Sequence, residues 1–140
     1  MYKRILIPVN FSDANKAAVA ASIKLAKQNR SEVTLLHVVE RLSVDDTEIQ
    51  DFYRSLETKS QAKIAELATE FEQAGIKVES QVKIGRAANE IVRWALENEI
   101  DLVVLSVHQL ELDQPMKGLA QTSFQVSLLV PCQVLLVKQS

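Results

Sequence analysis

The chain has 140 residues, of which 47% are hydrophobic and 24% are charged. This length and composition are those of one folded domain with a single core, and they argue against long disordered segments. The net charge of −2 gives no reason to expect nucleic acid or an anionic membrane as a partner.

No apolar run approaches the roughly 20 residues that span a bilayer, and no small-residue cleavage site follows the N-terminus. We therefore expect neither a transmembrane segment nor a signal peptide. Cys132 is the single cysteine, so no disulfide can form within the chain. That suits the cytosol, and we expect a cytoplasmic protein.

Five apolar segments predict the strands of a sheet. Nearly continuous apolar runs at 4–9, 33–39, 102–107 and 133–137 are typical of parallel strands that are covered on both faces. The segment 76–84 instead alternates apolar and polar residues. One face of that strand is therefore wet, which indicates an edge position.

Helical segments lie between these strands. Ser12 can cap a first helix, and Gly75 can end a long second helix over 47–74. A third helix is predicted over 88–96, and a fourth from about 119 to 130, where Pro131 ends it. Strands that alternate with helices predict an α/β fold, a single doubly wound domain with a parallel sheet and helices on both faces.

The sequence lacks the residue patterns that several kinds of catalytic or nucleotide-binding site require. The turn after the first strand has no glycine for a dinucleotide or phosphate-binding loop, and the chain has three glycines in all. His37 lies within a strand and is expected to pack or to bond locally. His108, on the ligand edge of the sheet, is the stronger candidate for ligand contact, but with Glu111 and Asp113 it forms no metal motif. We expect no enzyme activity and no metal, and we interpret Cys132 as a buried, inert thiol.

Five segments in order resemble the universal stress protein family. Arg4-Ile-Leu-Ile-Pro-Val-Asn-Phe-Ser12 is similar to its first strand and turn, usually Ile-Leu-Val-Pro-Val-Asp-Gly-Ser, and Val33-Thr-Leu-Leu-His-Val-Val39 to its second strand. Gly85-Arg-Ala-Ala-Asn-Glu-Ile91 resembles the turn that opens the third helix. Asp101-Leu-Val-Val-Leu105 and Val130-Pro-Cys-Gln-Val-Leu-Leu-Val137 resemble the last two strands.

This resemblance implies one universal stress protein domain over 1–140 and a five-stranded parallel sheet in the order 3-2-1-4-5. It also implies a homodimer formed through the C-terminal strand. That strand is short and apolar and lies at a sheet edge, and an exposed apolar edge invites pairing with a second chain.

The sequence departs from the family at the glycine motif that binds nucleotide phosphates. Ser106 and Gln109 stand at the first two glycines, and Ala120 and Gln121 stand where Gly-Ser/Thr is expected. Gly118 could substitute only through a gap. Glu111 and Asp113 face a single Lys117 in this loop, so a triphosphate would meet net negative charge. Ser106-Val-His-Gln109 is similar to the Gly-His-His-Gln stretch of members that do not bind ATP.

The other nucleotide contacts of the family correspond to residues at the strand ends. Asn10 replaces the usual Asp and can still bond a ribose hydroxyl, whereas Phe11 replaces a small residue and is expected to crowd the mouth of the site. The vestigial nucleotide-site positions are Pro8, Val9, Asn10, Val38 (or Val39), Ser106, Gln109, Ala120, Gln121 and Thr122.

The first hypothesis is a non-catalytic, homodimeric stress-response protein that acts through contacts with an unidentified protein and does not use ATP as a cofactor. The alternative is an adenine-nucleotide sensor with a divergent phosphate loop, based on Asn10 and the helix N-terminus near Thr122 and Ser123. A weak site for adenosine or a monophosphate is compatible with a pocket where the strand order reverses.

Overall fold

The computed structural model describes residues 1–41, 47–107 and 121–138. Strands and helices alternate along the chain. The elements are β1 (Arg4–Pro8), α1 (Asn15–Asn29), β2 (Glu32–Glu40), α2 (Thr47–Gln73), β3 (Lys77–Gly85), α3 (Ala87–Glu97), β4 (Leu102–Val107), α4 (Thr122–Leu129) and β5 (Gln133–Lys138).

The five strands form one parallel sheet in the order β3-β2-β1-β4-β5, which confirms the predicted fold class and strand order. Strand β1 lies at the centre, paired with β2 through Ile5↔Val33 and with β4 through Ile5↔Leu102. The side chains of Ile5, Leu6 and Ile7 are fully buried, as expected for a strand that is covered on both faces.

Helices cover both faces of the sheet, and each face has its own core. On one face, α1 and α2 bury Ala18, Val19, Ile64 and Phe71 against the odd-numbered side chains of β1 and β2. On the other face, α3 and α4 bury residues such as Ile91, Ala95 and Val126 against Leu6, Leu36, Val103 and Leu105. Because successive strand side chains point to opposite faces, β1, β2, β4 and β5 contribute to both cores, whereas β3 contributes only Val78 and Val82 to the first.

The two edge strands differ in their surfaces. Strand β3 pairs only with β2, and its side chains alternate between more and less exposed at its start, so the predicted edge position is confirmed. Strand β5 pairs only with β4. It leaves Leu135 and Leu136 exposed to 37% and 45%, and thus presents an apolar edge.

Two predicted helix starts are wrong. The first helix begins at Asn15 after Ala14, without a capping side chain. Ser12 donates instead to the side chain of Asn10, which lies in the preceding turn. The last helix begins at Thr122 and not near residue 119, because Gln121 has extended backbone angles. The predicted stop of α2 is confirmed, since Gly75 takes φ +79° and the Ile76 N–H bonds to the Phe71 carbonyl.

The turn between β1 and α1 places Phe11 at φ +62°, a left-handed conformation that is costly for a bulky side chain. Its ring packs against the core under α1 and α2 and lies 4.4 Å, centroid to centroid, from the ring of His37. These tertiary contacts stabilise a backbone conformation that the local sequence disfavours.

Among the described residues, no helix combines the length and the hydropathy needed to cross a membrane.

The fold predicts that two phenylalanines of α2 contribute very differently to the free energy of unfolding. Phe71 is fully buried and Phe52 is 59% exposed, so Phe71→Ala should lower the free energy of unfolding by about 3–5 kcal/mol. The matched control Phe52→Ala should lower it by less than about 1 kcal/mol. Urea unfolding followed by circular dichroism measures both values, and equal losses would contradict the core described above.

Candidate functional site

A small pocket lies at the carboxyl ends of β1 and β4, where the strand order reverses. Such a switch point is the usual ligand position in an open parallel sheet. Its volume is about 150 Å³, half of the roughly 300 Å³ at which small-molecule pockets commonly begin. The lining residues come from three strands, three helices and the turn after β1: Pro8, Val9, Asn10, Asn15, Leu36, His37, Val38, Ala87, Ile91, Leu105, Ser106, Thr122 and Ser123.

Asn10 forms the turn that leaves β1. Its Oδ1 accepts hydrogen bonds from the Ser12 N–H at 3.0 Å and from the Ser12 hydroxyl at 2.6 Å. This Asx turn uses the carbonyl side of the amide. The Nδ2 group makes no hydrogen bond within the described residues, so it is the part of the Asn10 side chain left to contact a ligand.

Asn15, the first residue of α1, joins the two central strands of the site. It is only 6% exposed. Its Oδ1 accepts from the Asn10 N–H at 2.7 Å, and its Nδ2 donates to the Ser106 hydroxyl at 2.7 Å. Both halves of this buried amide are therefore satisfied, as burial of a polar group requires.

Besides α1, helices α3 and α4 also begin beside this pocket, and the N-terminus of α3 is occupied. The Ala87 N–H at the start of α3 donates to Glu40 Oε1 at 2.9 Å. At the start of α4, Gln121 makes no capping hydrogen bond with its side chain, and the first-turn N–H groups have no intrahelical partner. Thr122 and Ser123, in that turn, line the pocket.

The structure brings six of the nine predicted site positions to this pocket: Pro8, Val9, Asn10, Val38, Ser106 and Thr122. Gln121 is described but does not line the pocket; its Oε1 accepts from the Ser123 hydroxyl at 3.4 Å. Gln109 and Ala120 lie outside the described residues, as do His108, Glu111, Asp113, Lys117 and Gly118.

Sequence reasoning missed Asn15 and the apolar wall made by Leu36, Ala87, Ile91 and Leu105. The wall residues lie in the predicted strand segments 33–39 and 102–107 or in the segment 85–91 that opens the third helix, and they belong to or pack against the core under α3 and α4. Asn15 gave no signal, because a polar residue in the first turn of a helix is ordinarily solvated or a cap.

His37 lines the pocket, and its ring also contacts Phe11, which packs in the core on the other side of the sheet. The His37 Nδ1 atom lies 2.7 Å from the Val9 carbonyl oxygen, so Nδ1 carries a proton and donates it. This is the local hydrogen bond expected for a histidine inside a strand. Phe11 does not crowd the mouth of the pocket, contrary to the prediction, because its left-handed backbone directs the ring towards α2, under Lys63 Nζ at 5.7 Å.

The lining of the switch-point pocket is electrically neutral. Among its described lining residues there is no Asp, Glu, Lys or Arg, and the polar side chains are hydroxyls, amides and the His37 imidazole. The part of the chain that the structure describes holds no cluster of three potential metal ligands. Burial and then the charge of Asp101 raise the pKa of the Cys132 thiol above its ordinary value. The thiol is half-buried and stays protonated at neutral pH, which makes it a poor nucleophile.

A larger groove lies on the opposite face, between α1 and α2, with a volume of about 720 Å³. Its floor is formed by Val19, Ile23 and Leu67, with Phe11 at one end. Charged side chains line its rim, and two of them, Lys16 and Asp13, form an exposed ion pair at 3.3 Å. Asn15 lines this groove as well as the switch-point pocket.

Known proteins resemble most or all of the chain. The universal stress protein YxiE of Bacillus subtilis is 29% identical over 150 residues, covering 99% of this chain and 100% of that protein. The universal stress protein MJ0577 of Methanocaldococcus jannaschii is 25% identical over 126 residues, 77% of this chain and 78% of that protein. The solved structure of MJ0577 has a TM-score of 0.83 at 24% identity and covers 100% of this chain and 98% of its own.

Some solved structures of this fold contain nucleotides. A universal stress protein family protein of Arabidopsis thaliana with AMP bound has a TM-score of 0.73 at 17% identity, and the match covers 99% of this chain and 92% of that chain. A universal stress protein of Archaeoglobus fulgidus in complex with dAMP has a TM-score of 0.70 at 15% identity, with 98% of each chain covered. A universal stress protein in complex with cAMP has a TM-score of 0.75 at 18% identity, with 99% of each chain covered. At these identities the likeness shows the fold alone.

A model of the universal stress protein family matches residues 1–138. With the parallel sheet in the order β3-β2-β1-β4-β5 and the pocket at its switch point, this match establishes that the chain belongs to the universal stress protein family.

Proposed function

We propose that this universal stress protein is a non-catalytic regulatory protein that acts as a homodimer, through contacts with another protein, and does not use ATP. The observation that carries the proposal is the small, neutral pocket at the switch point. A triphosphate needs cations or several backbone N–H groups around it, and the described lining supplies no cation.

The described pocket residues also lack the hydrogen-bonded pair of hydroxyl and base that nucleophilic catalysis requires. Ser106, Thr122 and Ser123 are its hydroxyls, and none of them is hydrogen-bonded to a histidine or a carboxylate in the described structure. His37 also lines the pocket, but its Nδ1 is engaged by the Val9 carbonyl oxygen and its ring contacts Phe11. A serine without an adjacent base is a weak nucleophile, and this supports a non-catalytic role.

The exposed surface of the last helix and strand supports the homodimer. Leu135 and Leu136 are exposed on the unpaired edge strand β5, and Leu128 and Leu129, which end α4, are 69% and 61% exposed. Pairing of β5 with its copy would satisfy the free backbone groups of that edge and bury these leucines.

A second candidate function is a sensor of an adenine nucleoside monophosphate. It is supported by the related folds that hold AMP, dAMP or cAMP and by two features of the pocket. The apolar wall of Leu36, Ala87, Ile91 and Leu105 suits a flat base. Together with its hydroxyls, the N-terminus of α4, which no side chain of the described residues caps, suits a single phosphate.

The distribution of charged residues favours a monophosphate over a triphosphate as the ligand. The Glu40 carboxylate already occupies the N-terminus of α3. In the sequence, Glu111 and Asp113 outnumber Lys117 in the segment between β4 and α4. Each added phosphate charge therefore meets more repulsion, and affinity should fall from AMP to ATP.

Calorimetric titration of the purified protein tests the nucleotide proposals. We expect no binding of ATP tighter than about 10 µM, equivalent to roughly 7 kcal/mol, and tighter binding of AMP than of ATP. Asn10→Ala should weaken AMP binding, because Asn10 Nδ2 is free to contact the ligand. ATP binding tighter than this limit would refute the first proposal, and an AMP affinity that Asn10→Ala leaves unchanged would refute the sensor.

Sedimentation velocity tests the dimer. Leu136→Lys places a charge on the β5 edge and should convert dimer to monomer at micromolar concentration, since a buried unpaired charge costs several kcal/mol. Leu96→Lys, on α3 and 61% exposed, is the matched control and should leave the dimer intact. A wild-type protein that sediments as a monomer would rule out the homodimer.

A further inference from the structure

We infer that Ser106 is a hydrogen-bond donor to the ligand of the switch-point pocket, and that the buried Asn15 holds it in that role. The inference rests on the second candidate function, a nucleoside or nucleoside monophosphate in this pocket. It assigns a role to the Ser106 hydroxyl at the position where the family motif has a glycine.

The orientation of the Asn15 amide follows from its partners. The Asn10 backbone nitrogen lies 2.7 Å from Asn15 Oδ1, and a backbone N–H can only donate. The atom facing it must therefore be the side-chain oxygen, which puts the NH₂ group of Asn15 towards Ser106, at 2.7 Å from its Oγ. Exchanging the oxygen and nitrogen of the amide would set two donors against each other at the Asn10 end, at a 6% exposed side chain.

The role of the Ser106 hydroxyl follows in turn. An NH₂ group has no lone pair to offer, so Ser106 Oγ must accept from Asn15 Nδ2. The hydroxyl proton of Ser106 is then directed elsewhere, and no acceptor for it exists within the described residues. Because Ser106 lines the pocket, this proton is available to a bound molecule. The pocket thus presents a donor at the end of β4.

A donor at this position selects the ligand by its acceptors. The oxygens of a ribose or of a phosphate ester accept a hydrogen bond from Ser106 without a cation nearby, whereas a ligand group that can only donate there would oppose the hydroxyl proton. One neutral hydroxyl offers less than several backbone N–H groups around a triphosphate. The same replacement that disfavours ATP therefore still allows a nucleoside or a monophosphate.

The test makes the Ser106 hydroxyl present lone pairs to the pocket in place of its proton, and it does so without changing the size of the side chain at position 15. In Asn15→Asp, one carboxylate oxygen still accepts from the Asn10 N–H, and the other now accepts the Ser106 proton, so that Ser106 presents lone pairs to the pocket. Calorimetry with adenosine, which carries no charge, should show about 3- to 10-fold weaker binding for both Asn15→Asp and Ser106→Ala, the size of one net hydrogen bond. Asn29→Asp, at the far end of α1, adds the same charge and should leave the affinity unchanged.

A double variant separates a positioning role from a structural one. If Asn15 acts through Ser106, then Asn15→Asp in the Ser106→Ala background should cause no further loss of adenosine affinity. The inference is overturned if the affinity losses of the two single variants multiply in the double variant, or if both single variants keep wild-type affinity. The sensor proposal stands in either case. Failure of wild-type protein to bind adenosine or AMP at millimolar concentration would instead refute the sensor proposal and this inference with it.

The hydrogen bond itself is tested without a ligand. In nuclear magnetic resonance spectra, the side-chain amide protons of Asn15 should exchange slowly in the wild-type protein and several-fold faster in Ser106→Ala. Fast exchange in the wild-type protein would show that Asn15 does not donate to Ser106 and would overturn the inference whatever the binding data.

Discussion

Strand β1 pairs with β2 on one side and with β4 on the other, and the helices that follow it and β4 cover opposite faces of the sheet. The chain therefore diverges at the carboxyl ends of these two strands and leaves a crevice between them. Polar backbone groups in such a crevice need partners. Asn15 supplies one by reaching from α1 to the Asn10 N–H and to Ser106. The position of the pocket depends on this divergence of the chain, and the polar part of its lining depends on the hydrogen bonds of Asn15.

Much of the fold could be predicted because its determinants are local. Continuous apolar runs identified β1, β2 and β4, which are buried on both faces, and the alternation over 76–84 identified β3 as an edge strand. The prediction that β5 is also covered on both faces is wrong, because β5 is the other edge strand and leaves Leu135 and Leu136 exposed. The strand order came from the resemblance to a family and not from periodicity. The starts of α1 and α4 were predicted wrongly, because Ser12 bonds backwards to Asn10 and Gln121 is extended. Neither fact is encoded in helix propensity.

The site was less predictable because its contacts are distant in sequence. The hydrogen bond between Asn15 and Ser106 joins residues 91 positions apart, and neither side chain is unusual in its own segment. The direction of Phe11 depended on the sign of one dihedral angle, which an aromatic residue seldom takes. By contrast, Pro8, Asn10 and Ser106 were placed at the pocket because strand ends at a switch point converge in any parallel sheet with this order.

The left-handed turn at Phe11 also bears on the order in which the protein assembles. A backbone conformation that costs on the order of 1–3 kcal/mol does not form in an isolated segment. It needs the His37 ring from β2 and the core under α2 already in place. Asn15 begins the helix that follows this turn, so the first turn of α1 is expected to be fixed after β1 and β2 have paired. By the same reasoning it should open before they separate, and its amides should exchange faster with deuterium than those of the central strands.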